Sequence, residues 1–410
     1  MVQVTSRSED GSIKYCRIHD LLRDLALQKA KEDNFLIVYS HPDDQHNLCM
    51  ARRVAVHNSD CDKLVMSQNL RTLLCFRTNC MPNCSKQKLL KVVNLDLDYG
   101  TKIELGMIEG LTQLRYLNLG SEVVSHENRS LGEVIGNMKF LQTVSSINGD
   151  DLKVLPWHKE LRHVTGFCVE LPSSAKITNL QTLNWVRSDE SWETELPHVP
   201  NLRTLDLIHK SSSWGVAGAF LSTLNHLISL DLTSHSCLPF NGKLDMRDFP
   251  FYLNLQSLEL YSESKEWIEM PIDMPPHLTH LRIWKLKFRQ DIMPALEKLQ
   301  YLKELRLYSV DTNEKMCCSA KGFCQLEVLT IRENFYLKDW EIEEGAMPIL
   351  KELEIVMTPH LRVPQGLRHL TNLQQFLWDV LFLRDLSDDD RAAKANEIRN
   401  LCKHVPLVSI

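Results

Sequence analysis

The six residues Leu302-Lys-Glu-Leu-Arg-Leu307 show the pattern that decides the fold, with leucine at the first, fourth and sixth positions. Clear further copies are LRYLNL from Leu114, LRTLDL from Leu202, LISLDL from Leu227, LQSLEL from Leu255 and LKELEI from Leu350. Fourteen copies follow one another in steps of 19 to 28 residues, and they start at Leu70, Leu90, Leu114, Leu141, Leu161, Leu180, Leu202, Leu227, Leu255, Leu278, Leu302, Leu326, Leu350 and Leu373. Such a period indicates a stack of similar structural units.

Within each copy the alternation of apolar and polar residues predicts a short β-strand, because successive strand side chains point to opposite faces. The strands of successive copies are expected to lie parallel, with their leucines in one continuous core. This is the sequence signature of an α/β leucine-rich-repeat solenoid with a curved parallel sheet. The variable step predicts an irregular convex side, and the asparagine expected after each strand is mostly missing, although Asn334 fits.

Composition narrows the class of partner. The 410 residues carry a net charge of −6, so neither nucleic acid nor anionic membrane is expected as a partner. No apolar run reaches the ~20 residues that span a bilayer, and the N-terminal sequence does not resemble a signal peptide. These features predict a cytoplasmic protein that is not an integral membrane protein, and they leave nuclear or peripheral plasma-membrane pools open. No paired Cys-x-x-Cys indicates a metal site among the 12 cysteines.

A different pattern occupies residues 1–34. Val2–Arg7 and Ser12–Ile18 read as two strands joined by a turn at Glu9–Gly11. The following segment His19–Lys31 has its apolar residues on one helical face, with Asp20 as the expected N-cap. A hairpin followed by a helix predicts part of a winged-helix unit.

The remaining boundaries follow from where the leucine pattern begins and ends. Residues 35–69 are predicted to be a linker and an N-terminal cap, with Ala51-Arg-Arg-Val-Ala-Val56 as a degenerate copy. The repeat domain covers 70–384, and 385–410 form a C-terminal cap and tail. Within that cap, 385–390 are acidic and solvated, and Arg391–His404 is a helix that covers the open end of the repeats.

Exposed positions between the inward leucines predict a partner-binding strip on the concave face. The central exposed position of successive copies carries first acids and then bases, and the position two residues later carries aromatic residues. The strip comprises Asp206, Asp231, Glu259, Tyr261, Arg282, Trp284, Arg306 and Tyr308. Tyrosine, tryptophan and arginine are enriched at interface hot spots, which favours contact with a protein. The alternative is that the aromatic rings pack on their neighbours and the charges are ordinary surface.

The segment Cys16-Arg-Ile-His-Asp-Leu-Leu-Arg-Asp-Leu-Ala26 resembles the end of the winged-helix domain of plant intracellular nucleotide-binding leucine-rich-repeat disease-resistance proteins, in the class with an N-terminal coiled coil. In that family a Met-His-Asp motif precedes the repeats, and here it reads Ile18-His19-Asp20. Further matching segments are ARRVAVH (51–57), LRTLLCF (70–76), EEGAMPIL (343–350), VPQGLRHLTNL (363–373) and HVPLVSI (404–410). The resemblance covers the whole chain.

The resemblance implies that His19 approaches the β-phosphate of ADP in a full-length parent and that Asp20 supports the junction between hairpin and helix. The family's phosphate-binding loop, Gly-x-x-x-x-Gly-Lys-[Ser/Thr], has no match in this sequence. No cofactor is therefore expected in this chain, and ADP or ATP is expected only together with a nucleotide-binding domain upstream. The chain is expected to be the C-terminal part of the family's architecture.

Resemblance and repeats together predict a recognition and autoinhibition module of a plant immune receptor. Its partners would be a pathogen effector or a host protein, and the parent's own nucleotide-binding domain. Two alternatives are a nucleotide-binding switch, if the upstream domain exists, and a generic leucine-rich-repeat scaffold or adaptor. An inactive truncated product is a further possibility. No Gly-x-Ser-x-Gly or His-Glu-x-x-His motif indicates an enzyme.

Overall fold

Short parallel strands, one in each repeat, form the main sheets of the molecule. The computed structural model describes residues 2–7, 13–40, 48–57, 64–79, 82–98, 101, 103–120, 124–125, 131–146, 152–154, 158–188, 192, 194–209, 215–234, 250–262, 267–268, 274–379 and 388–410. The chain divides into two compact units, Met1–Leu207 and Ile208–Ile410. Each unit stacks its strands in chain order, which confirms the predicted α/β leucine-rich-repeat fold.

In the first unit each sheet strand pairs in parallel with the strand of the next repeat. The strands in this sheet are Ile37–Tyr39, Arg53–His57, Thr72–Thr78, Val92–Leu97, Tyr116–Asn118, Thr143–Ser146, His163–Glu170 and Thr182–Arg187. Thr204–His209 follows and spans the boundary between the units. The first two strands lie inside residues 35–69, which the sequence analysis assigned to a linker and cap. Strand pairing in this unit therefore starts before the first clear leucine copy.

The second unit repeats this arrangement with a more even spacing. Its parallel strands, in the order in which they pair, are Ser229–Ser234, Ser257–Ser262, His280–Trp284, Glu304–Tyr308, Val328–Arg332, Glu352–Val356, Gln375–Asp379 and Leu407–Ser409. Neighbouring strands of a sheet lie about 4.8 Å apart, so equivalent positions form rows across the sheet.

Burial alternates along each strand as the leucine pattern predicts. Leu302, Leu305 and Leu307 are at most 2% exposed, whereas Glu304 and Arg306 between them lie on the other face and remain partly exposed. Each fully buried leucine contributes roughly 1.5–3 kcal/mol. Because one short strand cannot offset the entropy of ordering its own residues, each repeat depends on its neighbours for stability.

The residue that follows each sheet strand in four successive repeats adopts a left-handed conformation. The φ values of Lys285, Ser309, Glu333 and Met357 are 53°, 52°, 57° and 53°. The first three donate their backbone N–H groups to the last strand carbonyl of the next repeat, as Lys285 does to Tyr308 at 2.9 Å. A left-handed conformation is unfavourable for a residue with a Cβ atom, and these hydrogen bonds offset part of that cost. Each strand thus ends at a fixed residue.

Asn334 supports the turn that follows one of these left-handed residues. Its side chain is 2% exposed, and its Oδ1 accepts hydrogen bonds from the backbone N–H groups of Tyr336 (3.1 Å) and Leu337 (2.9 Å). The side chain therefore supplies an acceptor that the turning backbone does not. Asn334 is also the residue that fits the asparagine expected after the strand in the repeat pattern.

Short and varied elements connect the sheet strands. Extra parallel pairs join Ile103–Glu104 to Val124–Ser125, Leu152–Lys153 to the strand His163–Glu170, Trp267–Ile268 to Lys287–Phe288, and Lys315–Cys318 to Asp339–Ile342. The short helices are Leu131–Ile135, Gly215–Leu221 and Met293–Leu296, with 3₁₀ turns at Leu105–Met107 and Gln365–His369. The uneven repeat length is taken up in these connections.

The N-terminal hairpin and helix form as predicted, with one correction. Val2–Arg7 pairs antiparallel with Ile13–Ile18, and a helix spans Asp20–Glu32. The predicted turn at residues 9–11 lies outside the described residues. The N-cap is His19 rather than Asp20: His19 has an extended backbone, and its Nδ1 accepts a hydrogen bond from the Leu21 N–H at 3.3 Å. Asp20 is already the first helical residue, so it can favour the helix dipole but cannot cap the helix.

The C-terminal helix begins and ends about one turn earlier than predicted. It spans Asp388–Leu401, not Arg391–His404, because the acidic residues 388–390 form its first turn, where negative charge is favourable. Lys394 fixes it to the preceding repeat by donating from Nζ to the Leu361 carbonyl at 2.6 Å. The end of the sheet is instead occupied by the tail, since Leu407–Ser409 pairs with Gln375–Leu377.

Candidate functional site

The register of the second unit places the predicted strip in two neighbouring rows. Asp231, Glu259, Arg282 and Arg306 occupy equivalent positions on four successive strands. Asp206, the remaining acidic residue of the predicted strip, lies in the strand Thr204–His209 and belongs to the first unit. The sheet therefore brings the acidic and basic members of the second unit side by side on one face.

The second row is aromatic. Tyr261 pairs with Trp284, and Trp284 pairs with Tyr308, on consecutive strands. The rings of Trp284 and Tyr308 stack with their centroids 3.8 Å apart and their planes 14° apart. All three side chains are partly exposed, so the row is ordered by its own contacts while one side remains accessible. We call Tyr261, Trp284 and Tyr308 the aromatic row.

Basic side chains lie over the ends of the aromatic row. The Lys285 Nζ lies 5.2 Å from the Tyr261 ring centroid and donates to the Tyr261 hydroxyl at 3.0 Å. The Arg332 guanidinium lies 5.7 Å from the Tyr308 ring centroid. Cations over aromatic faces contribute about 0.5–1 kcal/mol each at exposed sites. These contacts limit the rotamers of the row before any partner binds.

An ion-pair network links Glu259, Arg282 and Arg306 through Glu304. The sequence prediction of the strip did not include Glu304. Glu304 accepts hydrogen bonds from Arg306 Nε (2.6 Å) and Arg282 Nη2 (3.0 Å), and Arg282 also lies 3.6 Å from Glu259. Glu304 lies two residues before Arg306 on the same strand face. The signal was present in the sequence Leu302-Lys-Glu-Leu-Arg-Leu307, where an acid and a base share one face of a strand.

The network changes the proton affinity of its central carboxyl. Burial disfavours the charged form of Glu304, but hydrogen bonds and charges from Arg306 and Arg282 outweigh it and lower its pKa. Glu304 is therefore ionised at neutral pH and holds the two guanidinium groups together. Without it, Arg282 and Arg306 would repel each other across adjacent strands.

Replacing Glu304 by glutamine is expected to lower the unfolding free energy at pH 7 by about 1.5–3 kcal/mol, because a charged hydrogen-bond partner is lost. A lowered pKa means that the stabilisation is present above the unfolded-state value of about 4.5 and is lost as the pH falls below it. Urea denaturation should therefore show that the difference in unfolding free energy between the wild type and Glu304→Gln becomes smaller at acidic pH. A difference that is independent of pH would contradict the ionic role of Glu304.

His19 and Asp20 lie at the exposed start of the N-terminal helix. The His19 Nδ1 is engaged in capping, and Asp20 lies 3.4 Å from Arg23 and 3.9 Å from Arg17. None of the helix's side chains is buried. Its apolar residues Leu21 and Leu25 are 75% and 51% exposed. The structure thus places these two side chains together on the exposed surface of the helix start.

The described residues contain no group of three or more histidine, cysteine, aspartate or glutamate side chains positioned to hold a metal ion. Within the same residues, no helix is both long and apolar enough to cross a bilayer.

Comparison with known proteins assigns most of the chain to one family. The family model described as "Leucine-rich repeat region" matches residues 69–406. Among curated proteins of Arabidopsis thaliana, Disease resistance protein RPH8A is 30% identical over an alignment of 403 residues that covers 88% of this chain and 42% of that protein. Putative disease resistance RPP13-like protein 3 is 34% identical over 377 residues, covering 85% of this chain and 41% of that protein. The chain thus spans less than half the length of these relatives.

Solved leucine-rich-repeat structures are also similar. The ectodomain of the Arabidopsis thaliana membrane receptor kinase GASSHO1/SCHENGEN3 gives a TM-score of 0.49 at 15% identity, covering 83% of this chain and 52% of that chain. The plant peptide hormone receptor RGFR1, solved in complex with RGF2, gives 0.48 at 12% identity, covering 91% and 68%.

Proposed function

The chain belongs to the leucine-rich-repeat region family, and from this premise we propose that it is the recognition module of a plant disease-resistance receptor. The module binds a protein partner, which is either a pathogen effector or a host protein, through the exposed strand positions of the second unit. The stacked aromatic row, flanked by Lys285 and Arg332, is the observation that carries this proposal. Its role is binding and not catalysis.

The geometry of the aromatic row supports a binding role in two ways. Rings that are already stacked lose little side-chain entropy when a partner covers them, so more of the contact energy remains for affinity. The neighbouring ion pairs between Glu304 and its two arginines keep the charges in fixed positions. Fixed charges beside an aromatic anchor favour complementary partners and disfavour others.

A position-specific cross-link tests the proposal. Benzoylphenylalanine placed at Tyr261, at the end of the aromatic row, should form a covalent product with one defined protein when the full chain is expressed in challenged plant tissue. The matched control places the same residue at Tyr301, which is 45% exposed and lies outside the row. A product of the same mass and yield from both positions would argue against recognition at the row.

We also propose that, in a longer parent, the repeats hold a nucleotide-binding domain in its inactive state until the partner binds. A partner can release that state only if it binds the released form more tightly than the held form. The expected result is that the parent with the partner exchanges bound ADP faster than the parent alone. Equal exchange rates would contradict the autoinhibitory role while leaving partner binding intact.

The proposed nucleotide role of His19 and Asp20 belongs to the same parent. Because His19 uses Nδ1 as the helix cap, its Nε2 is the ring atom that could approach a phosphate. His19→Asn keeps a polar capping residue, so it should preserve the helix and weaken ADP retention in the parent. Unchanged ADP retention would contradict the proposed contact.

A further inference from the structure

A trough lies on the same face as the aromatic row, closer to the C-terminus of the second unit. Its volume is about 290 Å³. We define the trough by the side chains of Val328, Glu352, Gln375, Leu377, Leu407 and Ser409. Ligand cavities for small molecules usually measure about 300–1,000 Å³, so this volume suits one or two protein side chains better than a cofactor.

Strand register fixes the arrangement of these side chains. Glu352 pairs with Gln375, and Gln375 pairs with Leu407, on consecutive strands. Leu377 pairs with Ser409 in the adjacent row. Since the strands are about 4.8 Å apart, the carboxylate of Glu352 and the amide of Gln375 lie within reach of one ligand group. The leucines lie beside these polar groups.

The trough exposes apolar surface at positions that carry polar side chains in the two preceding repeats, Glu354 and Thr330 for Leu377 and Gln375 and Glu352 for Leu407. Leu377 is 38% exposed and Leu407 is 55% exposed. Covering such surface with an aliphatic chain is favourable by roughly 25 cal/mol for each Å² that is removed from water. The occupant should therefore bring a hydrocarbon segment as well as a polar end.

Charge identifies the polar end. At the edges of the trough, Arg306 is paired with Glu304 and Glu354 is paired with Arg332. Glu352 is exposed, and among the described residues it forms no ion pair or hydrogen bond through its side chain. One uncompensated negative charge thus remains in the trough, next to Gln375 on the adjacent strand.

We infer that the trough binds an arginine side chain of the protein partner. The aliphatic stem of the arginine lies on Leu377 and Leu407, and its guanidinium donates to Glu352 and Gln375. Arginine fits better than lysine because its five donors in a fixed plane can satisfy acceptors on two adjacent strands. This inference rests on the proposed function and adds a side-chain preference to it.

Two short peptides test the inference on the full chain. The probe is acetylated and amidated Gly-Leu-Arg-Leu-Gly with a neutral dye, and its control carries citrulline, which has nearly the same shape without the charge. Fluorescence polarisation should show the arginine peptide binding about tenfold more tightly, as expected for one hydrogen bond to a charged group. Equal affinities, or no binding of either peptide, would overturn the inference.

Two matched variants test whether the preference for the arginine peptide over the citrulline peptide arises at the trough. Glu352→Gln should abolish the difference between the two peptides, whereas Glu344→Gln, which removes an exposed charge outside the trough, should preserve it. An arginine preference that survives Glu352→Gln would place the peptide elsewhere and overturn the inference. The cross-linking experiment at position 261 tests partner binding without using the trough. A cross-linked product together with equal peptide affinities would therefore contradict only the arginine site and leave the proposed function supported.

Discussion

Replacing Trp284 by alanine is expected to weaken binding of the protein partner by about 30-fold or more, the effect of losing an interface hot spot. Trp284 stacks on Tyr308 at 3.8 Å, so its removal deletes one ring and also frees the neighbouring ring to change rotamer. Both effects fall on the centre of the aromatic row. The change in affinity is measured by titrating the wild-type and variant chains with the partner that the cross-linking experiment identifies.

Two controls separate recognition from damage to the fold. Trp284→Phe keeps an aromatic ring for Tyr308 to stack on and should retain most of the affinity. Tyr301→Ala removes an exposed ring that contacts His277 at 5.4 Å outside the row, and it should leave the affinity unchanged. If Trp284→Ala bound the partner as tightly as the wild type, the aromatic row would not be the recognition surface.

Replacing Trp378 by alanine is expected to lower the unfolding free energy by about 3–5 kcal/mol, as for other large buried rings. Trp378 is fully buried, meets Phe376 edge to face at 6.1 Å, and lies under the Lys394 ammonium at 5.0 Å. Its removal leaves a cavity between the last leucine copy and the C-terminal helix. Urea denaturation followed by circular dichroism, with hydrogen exchange of the helix amides, measures the loss.

The neighbouring residue provides the matched control. Leu377 is apolar as well, but it points to the opposite face and is 38% exposed. Leu377→Ala should therefore change the unfolding free energy by about 0.5 kcal/mol or less, as is usual for surface substitutions. Similar losses for Trp378→Ala and Leu377→Ala would contradict the period-two burial on which the whole repeat pattern depends.

Position in the repeat, more than residue type, made the sheet predictable. The rule that first, fourth and sixth residues point inward identifies Phe376 and Trp378 as core and Leu377 as surface, although all three are apolar. The same rule places Tyr261, Trp284 and Tyr308 in one row because every repeat presents the same position at the same height. Periodicity can do this because parallel strands repeat the same backbone geometry in each copy.

Other features depended on interactions that periodicity does not encode. The final strand Leu407–Ser409 lacks the leucine pattern and is held by backbone hydrogen bonds to the strand before it. Glu304 joins two arginines because their long side chains adopt particular rotamers, which sequence spacing leaves open. The cap formed by His19 depends on its extended backbone angles, and aspartate at the next position had the higher N-cap propensity.

Left-handed residues were a further feature that sequence reasoning did not find. Glycine or asparagine is the usual signal for this conformation, yet Lys285, Ser309 and Glu333 adopt it at the ends of successive strands. Hydrogen bonds from their N–H groups to the next strand offset the local cost. Contacts with the next strand thus override the local backbone preference of these three residues.

Hydroxyl-radical footprinting of the wild-type chain tests the central claim most directly, because it measures the exposure of each aromatic side chain. The experiment compares the free chain with its non-covalent complex with the partner that the cross-linking identifies. We expect oxidation of Tyr261, Trp284 and Tyr308 to fall when the partner binds, while oxidation of Tyr301 stays the same. Protection of Tyr301 with no change at the aromatic row would show that the partner binds another surface, and it would contradict recognition through this face of the repeats.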